Sequence, residues 1–189
     1  YPTVGEAIRH AAFQVASIVT TTGFATTDFD LWPETSKMIL VLLMFIGACA
    51  GSTGGGFKIS RLLILCKAIP KQLSLVIHPR EVKVIRMDGK PIDHNTLRST
   101  NVYLAIYFFI LLVSTLLISV DNFNLTTNFT AVASTLNNIG PGLDGVGPTR
   151  NFGMYSDFSK FVLMFDMLAG RLELYPLLIL FMPSLWRRK

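Results

Sequence analysis

The sequence predicts an all-α integral membrane protein that is built from helix–re-entrant loop–helix repeats. Hydrophobic residues make up 51% of the 189 residues and charged residues only 15%, which is typical of membrane proteins. A short apolar stretch that leads into a polar turn also occurs twice, with Gly23 and Gly140 lying 117 positions apart. Non-helical backbone is tolerated at membrane depth only where protein buries it or where it lines a watery cavity. Two such turns therefore indicate a pore that is assembled from repeats.

The first repeat opens with a helix that is too short to span a membrane. Thr3 and Glu6 have the spacing of a capping box at the start of this helix. The run 20–27, which is rich in threonine and contains Gly23, ends the helix and favours an extended return of the chain. A short helix followed by such a turn is expected of a pore helix and its loop.

The second helix of this repeat is predicted to begin after Pro33 and to reach about Ile46. The small-residue segment 47–56 then interrupts the span, because each Gly is about 1 kcal/mol less favourable than Ala inside a helix. The helix is predicted to resume at Phe57 and to leave the membrane near Lys67.

The second repeat begins with the clearest membrane span of the chain. Residues 99–120 carry no charge over 22 positions, and a helix needs about 20 residues to cross the hydrocarbon core. A pore helix at 128–136, a loop at 137–142 and an external stretch at 144–156 are predicted to follow. Residues 157–185 form the predicted closing span.

The charge distribution predicts the orientation of these spans. Nine of the 17 Lys and Arg residues lie between Lys58 and Arg98, and three more form 187–189. Positively charged flanks of membrane spans face the cytoplasm. We therefore expect the polar connection 70–98, with a hairpin turn at 88–91, and the C-terminus on that side. Membrane topology accounts for the net charge of +5, so no nucleic-acid partner is predicted.

The two turns carry the chemistry expected of a cation filter. A dehydrated alkali cation needs oxygens that replace its water shell, and backbone carbonyls commonly supply them. Thr21-Thr22-Gly23-Phe24 has the threonine–X–glycine–aromatic order of potassium-channel filters, and Asn138-Ile139-Gly140-Pro141 is a divergent copy with its glycine in register. An alkali cation is predicted to bind at Thr21, Thr22, Asn138 and Ile139. A single copy would more often be an ordinary glycine turn, but two copies favour potassium-channel-like pore loops.

A gate is predicted just inside the filter. Its residues are Arg171, Gly51, Ser52, Thr53, Gly54, Gly55 and Gly56. An ionisable group inside an apolar span indicates a function, and the repeat of 117 positions sets Arg171 opposite Gly54. A glycine-rich loop can change conformation at little steric cost. Two alternatives stay open: Arg171 forms a structural ion pair with Asp166 or Glu173, or the glycine segment is a helix kink that packs against a neighbour.

No enzyme is predicted. The segment 51–58 does not fit a phosphate-binding loop, because Phe57 separates its last glycine from Lys58. An intramembrane active site around the charged residues of the last span would lack a nucleophile and a metal-binding set. The three histidines lie outside the predicted spans: His10, His78 and His94.

With these residues in hand, the chain resembles the bacterial Trk/Ktr/HKT superfamily of potassium transporters, most closely its TrkH branch. The phrases that carry the resemblance are the threonine-rich filter and the runs 51–58, 135–143 and 170–173. In that family four helix–pore loop–helix repeats surround one pore. The resemblance implies that 1–69 form the third repeat without its first helix, 70–98 a cytoplasmic linker and 99–189 the fourth repeat.

The resemblance also implies a function and partners. It implies potassium uptake across the bacterial inner membrane by a multi-pass homodimer with a cytoplasmic C-terminus. A cytoplasmic nucleotide-binding ring protein, TrkA, is the implied partner besides membrane lipid, potassium is the transported ion, and no organic cofactor is expected. A KtrB-like, sodium-dependent transporter subunit is the alternative, and both symport and passive conduction stay open.

Overall fold

The computed structural model describes residues 1–47, 55–78, 84–87, 89–172 and 179. The α-helices of this part of the chain are α1 (Val4–Val19), α2 (Glu34–Phe45), α3 (Ile59–Ile77), α4 (His94–Ile118), α5 (Leu125–Leu136) and α6 (Asp157–Leu172). Short 3-10 helices lie at Phe29–Leu31, Ser119–Asp121, Asp144–Val146 and Phe152–Met154. The strands are β1 (Ile46–Gly47) and β2 (Phe57–Lys58), which pair in parallel, and β3 (Arg86–Met87) and β4 (Lys90–Pro91), which form an antiparallel hairpin.

The two predicted pore helices are present and short. The side-chain hydroxyl of Thr3 accepts a hydrogen bond from the Glu6 amide at 3.3 Å and caps α1. The 16 residues of α1 and the 12 residues of α5 correspond to about 24 Å and about 18 Å of helix. Both lengths fall below the roughly 30 Å of the hydrocarbon core.

Helix α4 is the predicted membrane span. The segment His94–Asp121 has a mean hydropathy of 2.4, and it is the one helix of the described residues that is long and apolar enough to cross a membrane. Its buried residues follow a helical stripe through Tyr103, Tyr107 and Leu111, whereas apolar residues such as Leu112 and Leu116 on other faces are exposed. A helix that is apolar all round is expected in lipid.

Helix α3 is longer than the sequence predicts. It continues through Pro70 and ends at Ile77, so the boundary predicted after residue 69 falls inside a helix. The prediction followed the rise in charge after Lys67, whereas the apolar helical period persists beyond it. The predicted hairpin is present, but its turn is shorter than the predicted 88–91, because Lys90 and Pro91 form β4 and pair with Met87 and Arg86.

The core joins the two repeats. One cluster of buried residues connects α4, α5 and α6. A second cluster contains Ile18, Leu40 and Met44 of the first repeat together with Ile139 and Leu143 of the second. Because Ile139 belongs to the second predicted filter, this cluster fixes the second loop against the first repeat.

Candidate functional site

The two predicted filter loops leave their helices through the same turn. Three backbone hydrogen bonds recur 117 positions apart. In the first loop, the amides of Thr20, Thr21 and Thr22 donate to the carbonyl oxygens of Ala16 (3.0 Å), Ile18 (3.1 Å) and Ser17 (2.9 Å). In the second loop, the amides of Asn137, Asn138 and Ile139 donate to the equivalent carbonyl oxygens, those of Ala133 (3.1 Å), Thr135 (3.0 Å) and Ser134 (2.9 Å). The sequence repeat is therefore a structural repeat at the level of single hydrogen bonds.

The loops also share an unusual backbone. Thr21 and Asn138, at equivalent positions, have φ angles of 54° and 55°, and Gly23 and Gly140 have 78° and 111°. A β-branched residue such as Thr21 adopts positive φ only under constraint. Such conformations persist only where surrounding structure imposes them, and they cluster at functional sites.

The two loops meet directly. A Cβ atom added to Gly23 would overlap the Ile139 carbonyl oxygen and would lie 3.3 Å from Cδ of Pro141. Ile139 is buried at 4% exposure, whereas Phe24 is 71% exposed. The structure thus brings the glycine of the first predicted filter against the backbone of the second.

Two serines that the sequence analysis did not single out hold the loops. Ser17 Oγ donates to the Phe24 carbonyl oxygen at 2.6 Å, and Ser134 Oγ donates to the Gly140 carbonyl oxygen at 3.0 Å. The sequence did contain a signal for this role, because the two serines occupy equivalent positions of the repeat. These bonds tie each loop to the helix that precedes it.

The described end of the predicted gate segment lies against the second loop. Positions 51–54 fall outside the described residues, but Gly55 and Gly56 are described. A Cβ on Gly55 would overlap the backbone carbonyl of Asn137, and a Cβ on Gly56 would lie 2.5 Å from Oδ1 of Asn137. Asn137 immediately precedes the second predicted filter.

Arg171 lies in the last described turn of α6, next to the base of the second loop. A Cβ on the preceding residue, Gly170, would overlap the Leu136 carbonyl oxygen and would lie 2.8 Å from Nδ2 of Asn138. Nδ2 of Asn138 in turn donates to the Met167 carbonyl oxygen at 3.1 Å. The end of α6 therefore packs on the loop that Arg171 is predicted to gate.

The ion pair of Arg171 with Asp166 that the sequence left open is not formed. Asp166 is fully buried and its Oδ1 accepts from Ser114 Oγ at 2.7 Å. Its Oδ2 has no hydrogen-bond partner among the residues that the structure describes. Glu173, the other suggested partner, lies outside those residues.

The pairing of Arg171 with Gly54 stays a prediction, because Gly54 lies outside the described residues. The spacing of the repeat does change after the loops. Helices α2 and α6 begin 123 positions apart, and their first turns carry the same ion pair. It joins Lys37 to Glu34 at 2.6 Å and Lys160 to Asp157 at 3.6 Å. The segment between the loop and the next helix is therefore six residues longer in the second repeat than in the first.

The described residues contain no cluster of three or more His, Cys, Asp or Glu side chains that could hold a metal ion.

Comparison with known proteins gives a consistent result. A family model described as TrkH, a cation transport protein, matches residues 1–188. The chain is 40% identical over 187 residues to the Trk system potassium uptake protein TrkH of Vibrio parahaemolyticus, covering 99% of this chain and 38% of that protein. It is 38% identical over 180 residues to the protein of the same name from Escherichia coli strain K12, covering 95% of this chain and 37% of that protein.

A solved structure shows the same similarity. The crystal structure of the potassium transporter TrkH from Vibrio parahaemolyticus matches with a TM-score of 0.89 at 40% identity, covering 99% of this chain and 40% of that chain. The chain spans about two fifths of the length of these relatives.

Proposed function

Because the chain belongs to the TrkH family of cation transport proteins, we propose that it contributes two pore-loop repeats to a potassium uptake protein. The membership confirms the resemblance and the helical membrane fold that the sequence predicts. The relatives are named as transporters, which confirms that the chain is not an enzyme. The observation that carries the proposal is the contact between Gly23 and the Ile139 carbonyl, which joins two equivalent turns.

In the proposed filter, backbone carbonyls replace the water shell of potassium. The binding positions are those predicted, at Thr21, Thr22, Asn138 and Ile139. Ser17 and Ser134 support this assignment, because they engage the carbonyls of Phe24 and Gly140 and so fix the ends of the loops. A loop that is held in this way keeps its remaining carbonyls at a set distance, which favours one ion size or coordination number over another.

We propose that Arg171 and the segment 51–56 form the gate below this filter. The contacts of Gly170 with the base of the second loop support the position of Arg171. The contacts of Gly55 and Gly56 with Asn137 support the position of the segment. A fixed cation near the ion path raises the barrier for potassium, and a low local dielectric strengthens this repulsion.

The wider assembly follows from the same proposal. The protein would be a multi-pass homodimer in the bacterial inner membrane, surrounded by lipid, with a cytoplasmic C-terminus and a TrkA-like nucleotide-binding ring as its partner. Residues 1–69 and 99–189 would be two of four pore repeats, joined by the linker 70–98. Potassium is the transported ion, and no organic cofactor is needed.

Uptake by the full-length protein tests this function. In a strain that lacks its own potassium uptake systems, we expect the protein to restore growth at low potassium and to take up rubidium in preference to sodium. Omission of sodium from the assay distinguishes this proposal from the alternative. A KtrB-like subunit would lose rubidium uptake without sodium, whereas a TrkH-like protein would retain it. Absence of rubidium uptake by correctly inserted protein would contradict the proposal.

The orientation gives a separate prediction. In a cysteine-free background of the full-length protein, Lys90→Cys is expected to resist an impermeant thiol reagent in intact cells and to react after permeabilisation. Lys90 lies in the exposed basic hairpin, which the positive-inside rule assigns to the cytoplasm. Thr149→Cys, in the exposed stretch predicted to be external, is the matched control and should react in intact cells. Labelling of Lys90→Cys from outside would reverse the orientation.

A further inference from the structure

Asn137 lies buried at a junction of three elements. Its side chain has 0% exposure. Its Oδ1 accepts a hydrogen bond from the Tyr107 hydroxyl of α4 at 2.8 Å, and its Nδ2 donates to the Ala133 carbonyl oxygen of α5 at 2.7 Å. Both ends of the amide therefore have fixed partners, which leaves this side chain one orientation.

The chain that leads into α3 packs on this amide. Gly56 has a φ angle of +85°, and a Cβ at this position would lie 2.5 Å from Oδ1 and 3.3 Å from Cγ of Asn137. Gly55 approaches the backbone carbonyl of the same residue. Gly56 directly precedes β2 and α3, so the start of α3 rests on the residue before the second filter loop.

We propose that the Tyr107–Asn137 pair is a positioning element that couples the start of α3 to the geometry of the second filter loop. This inference rests on the proposed filter function. Asn138, the next residue, has a φ angle of 55°. Its backbone follows directly on that of Asn137, whose side-chain amide lies against Gly56. A shift of Gly56 toward Oδ1 would move the Asn137 side chain or break its bond to Tyr107. Either change alters the peptide that begins the filter.

Burial makes this coupling strong. Tyr107 is 2% exposed, so water does not replace a lost partner at its hydroxyl or at Oδ1 of Asn137. An unsatisfied buried polar group is costly, and packed interiors transmit displacement because they contain few voids. The start of α3 is therefore expected to move together with the loop.

The chain offers a matched control for the pair. Tyr155 is also 2% exposed, and its hydroxyl donates at 3.0 Å to Oδ1 of Asn128, which lies on the same helix, α5. Asn128 lies near the N-terminal end of α5, remote along the helix from the filter. Tyr107→Phe and Tyr155→Phe thus remove the same kind of bond from opposite ends of one pore helix.

The experiment compares the two variants in the full-length protein. We measure the rubidium-to-sodium uptake ratio together with the thermal stability of the purified protein. Both variants are expected to lose a similar amount of stability, but only Tyr107→Phe should lower the uptake ratio, by about fivefold, as loss of about one buried hydrogen bond would do. Equal uptake ratios for the two variants would overturn the proposal.

A double-mutant cycle tests the coupling to α3. Gly56→Ala presses on Oδ1 of Asn137, so its effect on the uptake ratio is expected to be smaller in the Tyr107→Phe background than in the native protein. If Gly56→Ala lowers the uptake ratio by the same factor in both backgrounds, the two residues act independently and the coupling is overturned. If the native protein takes up rubidium selectively and Tyr107→Phe is unchanged, this inference fails alone. If the native protein shows no selective uptake, the proposed function fails instead.

Discussion

Replacement of Gly23 with alanine is expected to abolish selective ion uptake and to destabilise the protein. The added Cβ would overlap the Ile139 carbonyl oxygen, which belongs to backbone and cannot swing aside. The φ angle of +78° adds strain of about 1 kcal/mol or more for a residue with a side chain. The two loops would have to separate, and the carbonyls of both would lose their spacing. We expect rubidium uptake to fall at least about tenfold, from the combined strain and overlap.

Gly5→Ala is the matched control for this substitution. Gly5 lies in α1, and nothing lies within 4 Å of the position that its Cβ would occupy. Alanine there should be neutral or stabilising by up to about 1 kcal/mol. Uptake, membrane content and thermal stability are measured for both variants. Normal uptake by Gly23→Ala would show that the two loops do not line the ion path.

Removal of the charge of Arg171 is expected to raise ion flux. A repulsion of about 1 kcal/mol between this cation and a passing potassium ion would slow transport about fivefold. Arg171→Ala should therefore increase rubidium flux several-fold and make flux less dependent on the cytoplasmic partner. Flux is measured in proteoliposomes with and without that partner.

Two variants control for this result. Arg171→Lys keeps the charge and should stay close to the native flux. Lys37→Ala removes the cation at the equivalent position of α2, where it pairs with Glu34, and should leave flux unchanged. If Arg171→Ala inserts normally and conducts no faster than the native protein, Arg171 has a structural role and the barrier lies elsewhere.

Local features of the fold could be predicted from the sequence because local signals determine them. The Thr3 cap, the end of α1 before the threonine-rich turn and the apolar span of α4 all follow from short-range patterns. The repeat of 117 positions predicted equivalent turns, and the backbone hydrogen bonds confirm them.

Other features were missed, some because a sequence signal was misread and some because they depend on tertiary contacts. The persistence of α3 through Pro70 reflects a helical period that continues where the charge rises. The spacing of 117 positions does not extend to α2 and α6, because the segment before α6 is six residues longer than the one before α2. The contact of Gly23 with Ile139 and the bond between Tyr107 and Asn137 join residues far apart in sequence, and no local pattern encodes such a contact.

The central claim is that the two glycine turns select the ion, and the most direct measurement compares Gly140→Ser with Gly89→Ser. Both glycines have positive φ, 111° and 76°, and neither has an atom within 4 Å of its Cβ position. They differ in place, because Gly140 lies in the second loop and Gly89 in the basic hairpin. The measured quantity is the rubidium-to-sodium uptake ratio of the full-length protein. We predict that Gly140→Ser lowers this ratio about tenfold, as strain of about 1–3 kcal/mol in the loop would do, and that Gly89→Ser leaves it unchanged. An unchanged ratio in Gly140→Ser protein that inserts and transports normally would contradict the claim.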